Sequence, residues 1–133
     1  MKKVILILCL ASATLFASEA TTTRQEQIKT MQNLEVSMST IQKGFLYNNT
    51  TFVKQGIASL KDNLKNIKDF DIKNDENKTF DAKKYSTTEL KAIGILADQI
   101  LIDFDKGNKE VVLKGFQNML NRCITCHLLV RNW

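Results

Sequence analysis

Apolar residues recur every three or four positions in four separate stretches of the chain. This spacing places each set on one face of a helix, and no stretch shows the period-two alternation of β-strands. The four stripes are Ile28, Met31, Leu34, Met38, Ile41 and Phe45; Val53, Ile57, Leu60, Leu64 and Ile67; Leu90, Ile93, Ala97, Ile100 and Phe104; and Val112, Phe116, Met119 or Leu120, Cys123 and His127. The pattern predicts an all-α fold with four helices.

Polar breaks separate the predicted helices. The run 48–51 is a short break with a Thr available to cap the second helix, and Gly107-Asn108 ends the third. Residues 86–89 read Ser-Thr-Thr-Glu, which predicts a capping box with Ser86 as the N-cap of the third helix. The stretch 71–86 is the one long connection. Because the first and last connections are short, we expect a four-helix bundle with up-down-up-down topology.

The N-terminus has the pattern of a secretory signal. Two lysines follow Met1, and an apolar run extends from Val4 to Ala17. An uncleaved anchor is the alternative, but a membrane-spanning helix needs about twenty apolar residues. We predict a signal peptide over residues 1–17, with cleavage after Ala20 as the other option, and one domain over residues 18–133. The mature protein is expected to be exported from the cytoplasm.

Charge and cysteine content narrow the classes of function. The net charge of +5 falls by two when Lys2 and Lys3 are removed, or by one if Glu19 is also lost, and no Arg- or Lys-rich face stands out. We therefore expect no nucleic-acid partner and no membrane span after processing. Of three cysteines, Cys9 lies in the predicted signal and the other two share one motif.

That motif is Cys123-Ile-Thr-Cys126-His127, with the spacing at which a c-type haem is attached. Two thiols three residues apart can each bond to one vinyl group of the same porphyrin, and the adjacent imidazole can ligate the iron. A structural zinc site would need a fourth ligand, and a thioredoxin-like dithiol would open a helix beside a sheet. We predict one covalently attached haem c with Cys123 and Cys126 as attachment residues and His127 as the proximal ligand.

The second axial position of the iron has two candidates. The chain contains one His, so bis-His ligation is excluded, and three Met remain after export: Met31, Met38 and Met119. Helix lengths at about 1.5 Å per residue place either Met31 or Ile28 level with His127, whereas Met38 is expected in the core.

A helical bundle with its haem motif at the C-terminus resembles the class II cytochromes c, the cytochrome c-prime family. Arg131 matches the family's basic residue four positions after the His, and Val130 stands where the family usually has an aromatic residue. The run from Met31 to Ile41 resembles the low-spin members and implies Met31 as distal ligand. Alignment on Arg24-Gln25 instead implies Ile28 beside an open iron, as in gas-binding members that take nitric oxide or carbon monoxide.

The resemblance implies an electron carrier rather than an enzyme, with redox proteins as partners. Family members often form dimers through their first two helices, so the resemblance also allows a homodimer. Arg122 and Arg131 flank the motif and are candidate partners of the haem propionates, the alternative being a solvated helix end.

Overall fold

The computed structural model describes the backbone of residues 2–68, 70, 72 and 79–131, and the side chains of residues 24–68, 70, 72 and 79–130. It contains four helices: α1 (Lys2–Leu46), α2 (Thr50–Ile67), α3 (Ala82–Asp105) and α4 (Lys109–Arg131). No strand occurs in this part of the chain. The prediction of an all-α four-helix bundle is confirmed.

The core draws one stripe from each helix, as the spacing predicted, except that Ile28 of the first stripe is 44% exposed and lies outside the core. Met119 rather than Leu120 continues the stripe of α4, since Met119 is 0% exposed and Leu120 43%. The buried apolar side chains that form the core cluster are Ile41 of α1; Val53, Ile57, Leu60, Leu64 and Ile67 of α2; Ile93, Ala97 and Ile100 of α3; and Val112 and Met119 of α4.

Two helix starts differ from their prediction. Asn49, not a threonine, caps α2 by accepting a hydrogen bond from the Phe52 amide (3.2 Å). Asp81 caps α3 by accepting from the Lys84 amide (2.9 Å), so the capping box at Ser86 is wrong. Ser86 lies inside α3 and bonds to the Ala82 carbonyl (2.7 Å). Because a carboxylate is available five residues earlier, the helix begins there, and the long connection spans 68–81 instead of 71–86.

The backbone of α1 is helical from Lys2 onwards, continuous through the predicted signal segment. The side chains of residues 1–23 lie outside the described residues, so the cleavage after Ala17 or Ala20 stays a prediction. Within the described residues, no helix combines the length and apolar character needed to cross a membrane.

Small residues bring α1 and α2 into close contact. A Cβ added at Gly56 would lie 2.6 Å from a side-chain carbon of Ile41 and 2.8 Å from the Ile41 backbone nitrogen. One at Gly44 would lie 2.5 Å from a methyl carbon of Val53. One turn before Ile41, at the same interface, the Ser37 hydroxyl donates to the Asn33 carbonyl (2.7 Å) and lies 2.9 Å from the hydroxyl of Ser59 on α2. The first hairpin is therefore packed at backbone distance.

The two hairpins meet through rings and ion pairs. The ring of Phe45 on α1 lies 5.6 Å from that of Phe104 and 5.4 Å, edge-on, from that of Phe116 on α4. Lys61 Nζ lies 2.6 Å from Asp98 across α2 and α3, and Lys54 Nζ lies 3.8 Å from Asp105. Adjacent helices run antiparallel, which confirms the up-down-up-down order.

The turn from α3 to α4 is organised by one carboxylate. Asp103 accepts hydrogen bonds from Gln99 (2.7 Å) and from the side chain of Asn108 (3.1 Å). Gly107 takes a φ of +75°, the left-handed conformation predicted for this break. The amide bonds to Asp103 hold the pKa of its carboxyl below the usual 3.8.

We expect Gly56→Ala to lower the free energy of unfolding by about 1–3 kcal/mol, because a new methyl group must displace the α1 backbone. Gly94→Ala is the matched control: it sits inside α3 with nothing within 4 Å of the added carbon, and should stabilise by about 0.4–1 kcal/mol. Urea unfolding measures both. Equal stability of Gly56→Ala and the native chain would contradict this close packing.

Asp103 should make the fold sensitive to acid. Its pKa is lowered in the folded state, so its stabilising effect is present above the unfolded pKa and is lost as the pH falls from about 4 through the lowered value. Asp103→Asn should therefore lose less stability over that range than the native chain, as measured by urea midpoints at several pH values. An Asp103→Asn variant that loses as much stability as the native chain over this range would contradict the role of Asp103.

Candidate functional site

The Cys-x-x-Cys-His motif lies on the last turns of α4, and its two thiols point inward. Cys123 packs against the core, and Cys126 is half-buried beside α3. Burial, together with the neighbouring thiol of Cys126, raises the pKa of Cys123 to about 11. Burial also raises the pKa of Cys126; a hydrogen bond with Ser86 opposes this and the charge of Glu89 adds to it. Both thiols therefore face the interior of the bundle.

At this end of the bundle α3 and α4 continue for more than two turns beyond the last residue of α2. The ion pairs Lys61–Asp98 and Lys54–Asp105 place Ile67, the last residue of α2, level with about residue 92 of α3. The pair Arg122–Glu89 places that level near residue 119 of α4. The segment 120–131, which carries the motif, thus extends past the end of α2.

The interface between α1 and α4 is looser than the other interfaces between neighbouring helices. Backbone contacts join α1 to α2, α3 to α4 and, less closely, α2 to α3, but α1 and α4 do not approach comparably within the described residues. Two apolar side chains of α4 beside the motif, Leu120 and Ile124, remain 43% and 41% exposed. We call the region bordered by Met31 and Met38 on α1 and by Leu120, Ile124 and His127 on α4 the α1–α4 interface.

The ring contact between Phe45 and Phe116 marks the faces of α1 and α4 that point towards each other. At about 100° per residue, Met31 and Met38 lie within about 40° of Phe45 around α1. His127 and Leu120 lie within about 40° of Phe116 around α4. Both methionines and the imidazole are therefore on the faces that border the α1–α4 interface.

Ile28 is on a different face. It lies about 100° from Phe45 around α1 and is 44% exposed, whereas Met31 is partly buried against the core. Of the two residues proposed for the open side of the iron, only Met31 borders the α1–α4 interface.

Height along the bundle does not separate the two methionines. The Phe45–Phe116 contact places His127 level with about residue 34 of α1, between Met31 and Met38. Both methionines are partly buried against the core, so the assignment of Met38 to the core stays a prediction.

The residues at this end fit a haem. They supply two thiols on one helix face, an adjacent imidazole, exposed apolar side chains on α4, and a thioether, that of Met31, on the face of α1 towards α4. No three His, Cys, Asp or Glu side chains among the described residues converge on one point as ligands of a bare metal ion would. A porphyrin needs no such convergence, because its thiols bond to the ring edge and only the imidazole bonds to iron.

Arg122 lies on the opposite flank of α4 from the α1–α4 interface. Its Nη1 donates to both carboxylate oxygens of Glu89, at 3.1 and 2.9 Å. Its predicted contact with a haem propionate stays a prediction, and the side chain of Arg131 lies outside the described residues. Sequence reasoning missed Glu89 and Ser86 as neighbours of the motif because both were assigned to a helix cap. Their spacing of three residues on one helical face was the available signal.

Tyr85 is the third side chain of α3 near the motif. Its ring lies 5.3 Å from that of Phe80, and burial raises the pKa of its hydroxyl, with the charge of Glu89 adding to the effect. Together with Glu89 and Arg122 it lines a groove of about 570 Å³ on the outer side of α3 and α4.

No family model, curated protein or solved structure matches the chain. The function is therefore argued from the residues described above.

Proposed function

We propose that the chain is a periplasmic monohaem c-type cytochrome that carries electrons between redox proteins, with Cys123 and Cys126 attaching the haem and His127 as proximal ligand. The observation that carries the proposal is the joint position of the motif: both thiols and the imidazole lie where α2 has ended and α1 approaches α4 only loosely. A haem bound there supplies one-electron chemistry at its iron.

The chain's own residues account for the other requirements of a carrier. Leu120 and Ile124 offer apolar surface that would cover a porphyrin face and exclude water from it. Met31 lies on the face of α1 towards α4 and would supply its thioether as the second protein ligand of the iron, which would leave no site for a substrate or gas. A thioether at that position stabilises the reduced iron and raises its potential. The proposal therefore describes a carrier and assigns no bond chemistry to the chain.

The five-coordinate alternative requires Ile28 rather than Met31 opposite the imidazole, as in a protein that binds nitric oxide or carbon monoxide. The orientation of Ile28, about 100° from the face that borders the α1–α4 interface, weighs against it.

Covalent attachment is tested by exporting the whole chain in a bacterium that assembles c-type cytochromes. We expect the native chain to keep haem stain on a denaturing gel, because thioether bonds survive unfolding. The double variant Cys123→Ser/Cys126→Ser should lose the stain, since no thiol remains in the motif. Cys9→Ser is the matched control and should keep it, because Cys9 lies in the predicted signal. An exported native chain without covalent haem would overturn the proposal.

The distal ligand is tested by Met31→Ala. We expect the native chain to show a low-spin visible spectrum that carbon monoxide leaves unchanged. Met31→Ala should become high-spin and bind the gas, because removing the thioether opens the sixth position. Met38→Ala, the control on the same face of α1, should stay low-spin. A native chain that is high-spin and takes up carbon monoxide at once would favour the gas-binding alternative.

A further inference from the structure

One carboxylate of α3, that of Glu89, is buried close to the haem motif. Glu89 is 7% exposed, and its hydrogen bonds to a side chain are the two from Arg122 Nη1. Arg122 is 43% exposed at its side chain and lines the outer groove of α3 and α4. The negative charge thus sits inside the protein, while its counter-charge lies partly in solvent.

Stability alone does not explain this pair. A buried ion pair loses hydration on both partners, and well-packed apolar residues of the same size often serve a fold equally well or better. The other buried carboxylate of the described residues, Asp103, lies at the opposite end of the bundle and is held by amides at a turn. Glu89 closes no turn and caps no helix, because Asp81 caps α3.

The position of Glu89 brings its charge to the attachment residues. It pairs at 2.9 Å with Arg122, the residue directly before Cys123, and lies one turn of α3 from Ser86, which contacts Cys126. A group bonded to those sulfurs would lie close to this carboxylate, whose charge solvent screens only in part. Reduction removes one positive charge from the iron, so a nearby buried anion favours the oxidised state.

We propose that Glu89, as a positioning residue, lowers the redox potential of the attached haem through its negative charge. Arg122 limits this effect by neutralising part of the charge of Glu89. The inference rests on the proposed function, since it concerns the haem that the motif would attach. In this proposal Arg122 is the partner of Glu89 and does not bind a haem propionate.

The test is a potentiometric titration of haem-loaded variants at pH 8, after haem content per chain is measured as the pyridine haemochrome. Glu89→Gln keeps the shape and removes the anion, so the midpoint potential should rise. Arg122→Gln leaves the anion without its partner, so the potential should fall. The double variant loses both charges and should return towards the native value, which a purely structural disturbance would not produce.

Asp98→Asn is the matched control, since it also removes one carboxylate from an interhelical ion pair. The side chain of Asp98 is 54% exposed. Its effect should be smaller than that of Glu89→Gln and should vanish in high salt, whereas the effect of Glu89→Gln should persist. Urea unfolding of each variant shows whether the bundle remains intact.

The outcomes separate the two proposals. A native chain without haem overturns both the proposed function and this inference. Haem-loaded variants whose potentials do not move, or that all move in the same direction, overturn the role of Glu89 and leave the cytochrome assignment standing. Opposite shifts in the two single variants, with recovery in the double variant, support it.

Discussion

The length of α2 relative to its neighbours determines what this bundle can hold. Two lysines of α2 pair with aspartates of α3, and these contacts fix the height at which α2 ends. Since α3 and α4 continue for about three turns beyond that height, their inner faces have no partner from α2. On α4 beyond that height Cys123 and His127 are half-buried, whereas Met119, one turn before Cys123, is fully buried; on α3 Ser86 and Glu89 remain buried. The candidate site depends on this difference in helix length.

The tight packing of the first hairpin supports this arrangement. Gly44 and Gly56 let α1 and α2 approach at backbone distance, and this draws α1 towards α2 rather than towards α4. Near the short turns, the rings of Phe45, Phe104 and Phe116 close the remaining gap between the hairpins. Further from the turns, Met31 and Leu34 of α1 and Cys123 of α4 pack in part against the same core. The first hairpin is therefore the tighter of the interfaces that α1 makes.

Much of the fold could be predicted from the sequence because helix periodicity and the Gly107 break are local properties. The start of α3 could not, because Ser86 and Asp81 both have side chains that can cap a helix. Which one does so depends on whether Ser86 and Glu89 are needed to face α4. The haem motif could also be recognised in the sequence, because its residues are contiguous in the chain. The choice between Met31 and Ile28 was not local: the sequence places both near the height of His127, and only the Phe45–Phe116 contact shows which of them is on the face towards α4.

The contrast between Asp103 and Glu89 shows how one residue type serves two ends of a bundle. Asp103 receives two neutral amide donors from its own turn, so its charge is stabilised locally and the cost of placing it there is small. Glu89 is paired across helices with a cation that remains partly in water, so its charge is only partly compensated inside the protein. Amide donors would have sufficed if α3 needed only a satisfied polar side chain at that position. A carboxylate with an incompletely buried counter-charge leaves a net field, and that field acts on the end of the bundle where the two thiols and the imidazole lie.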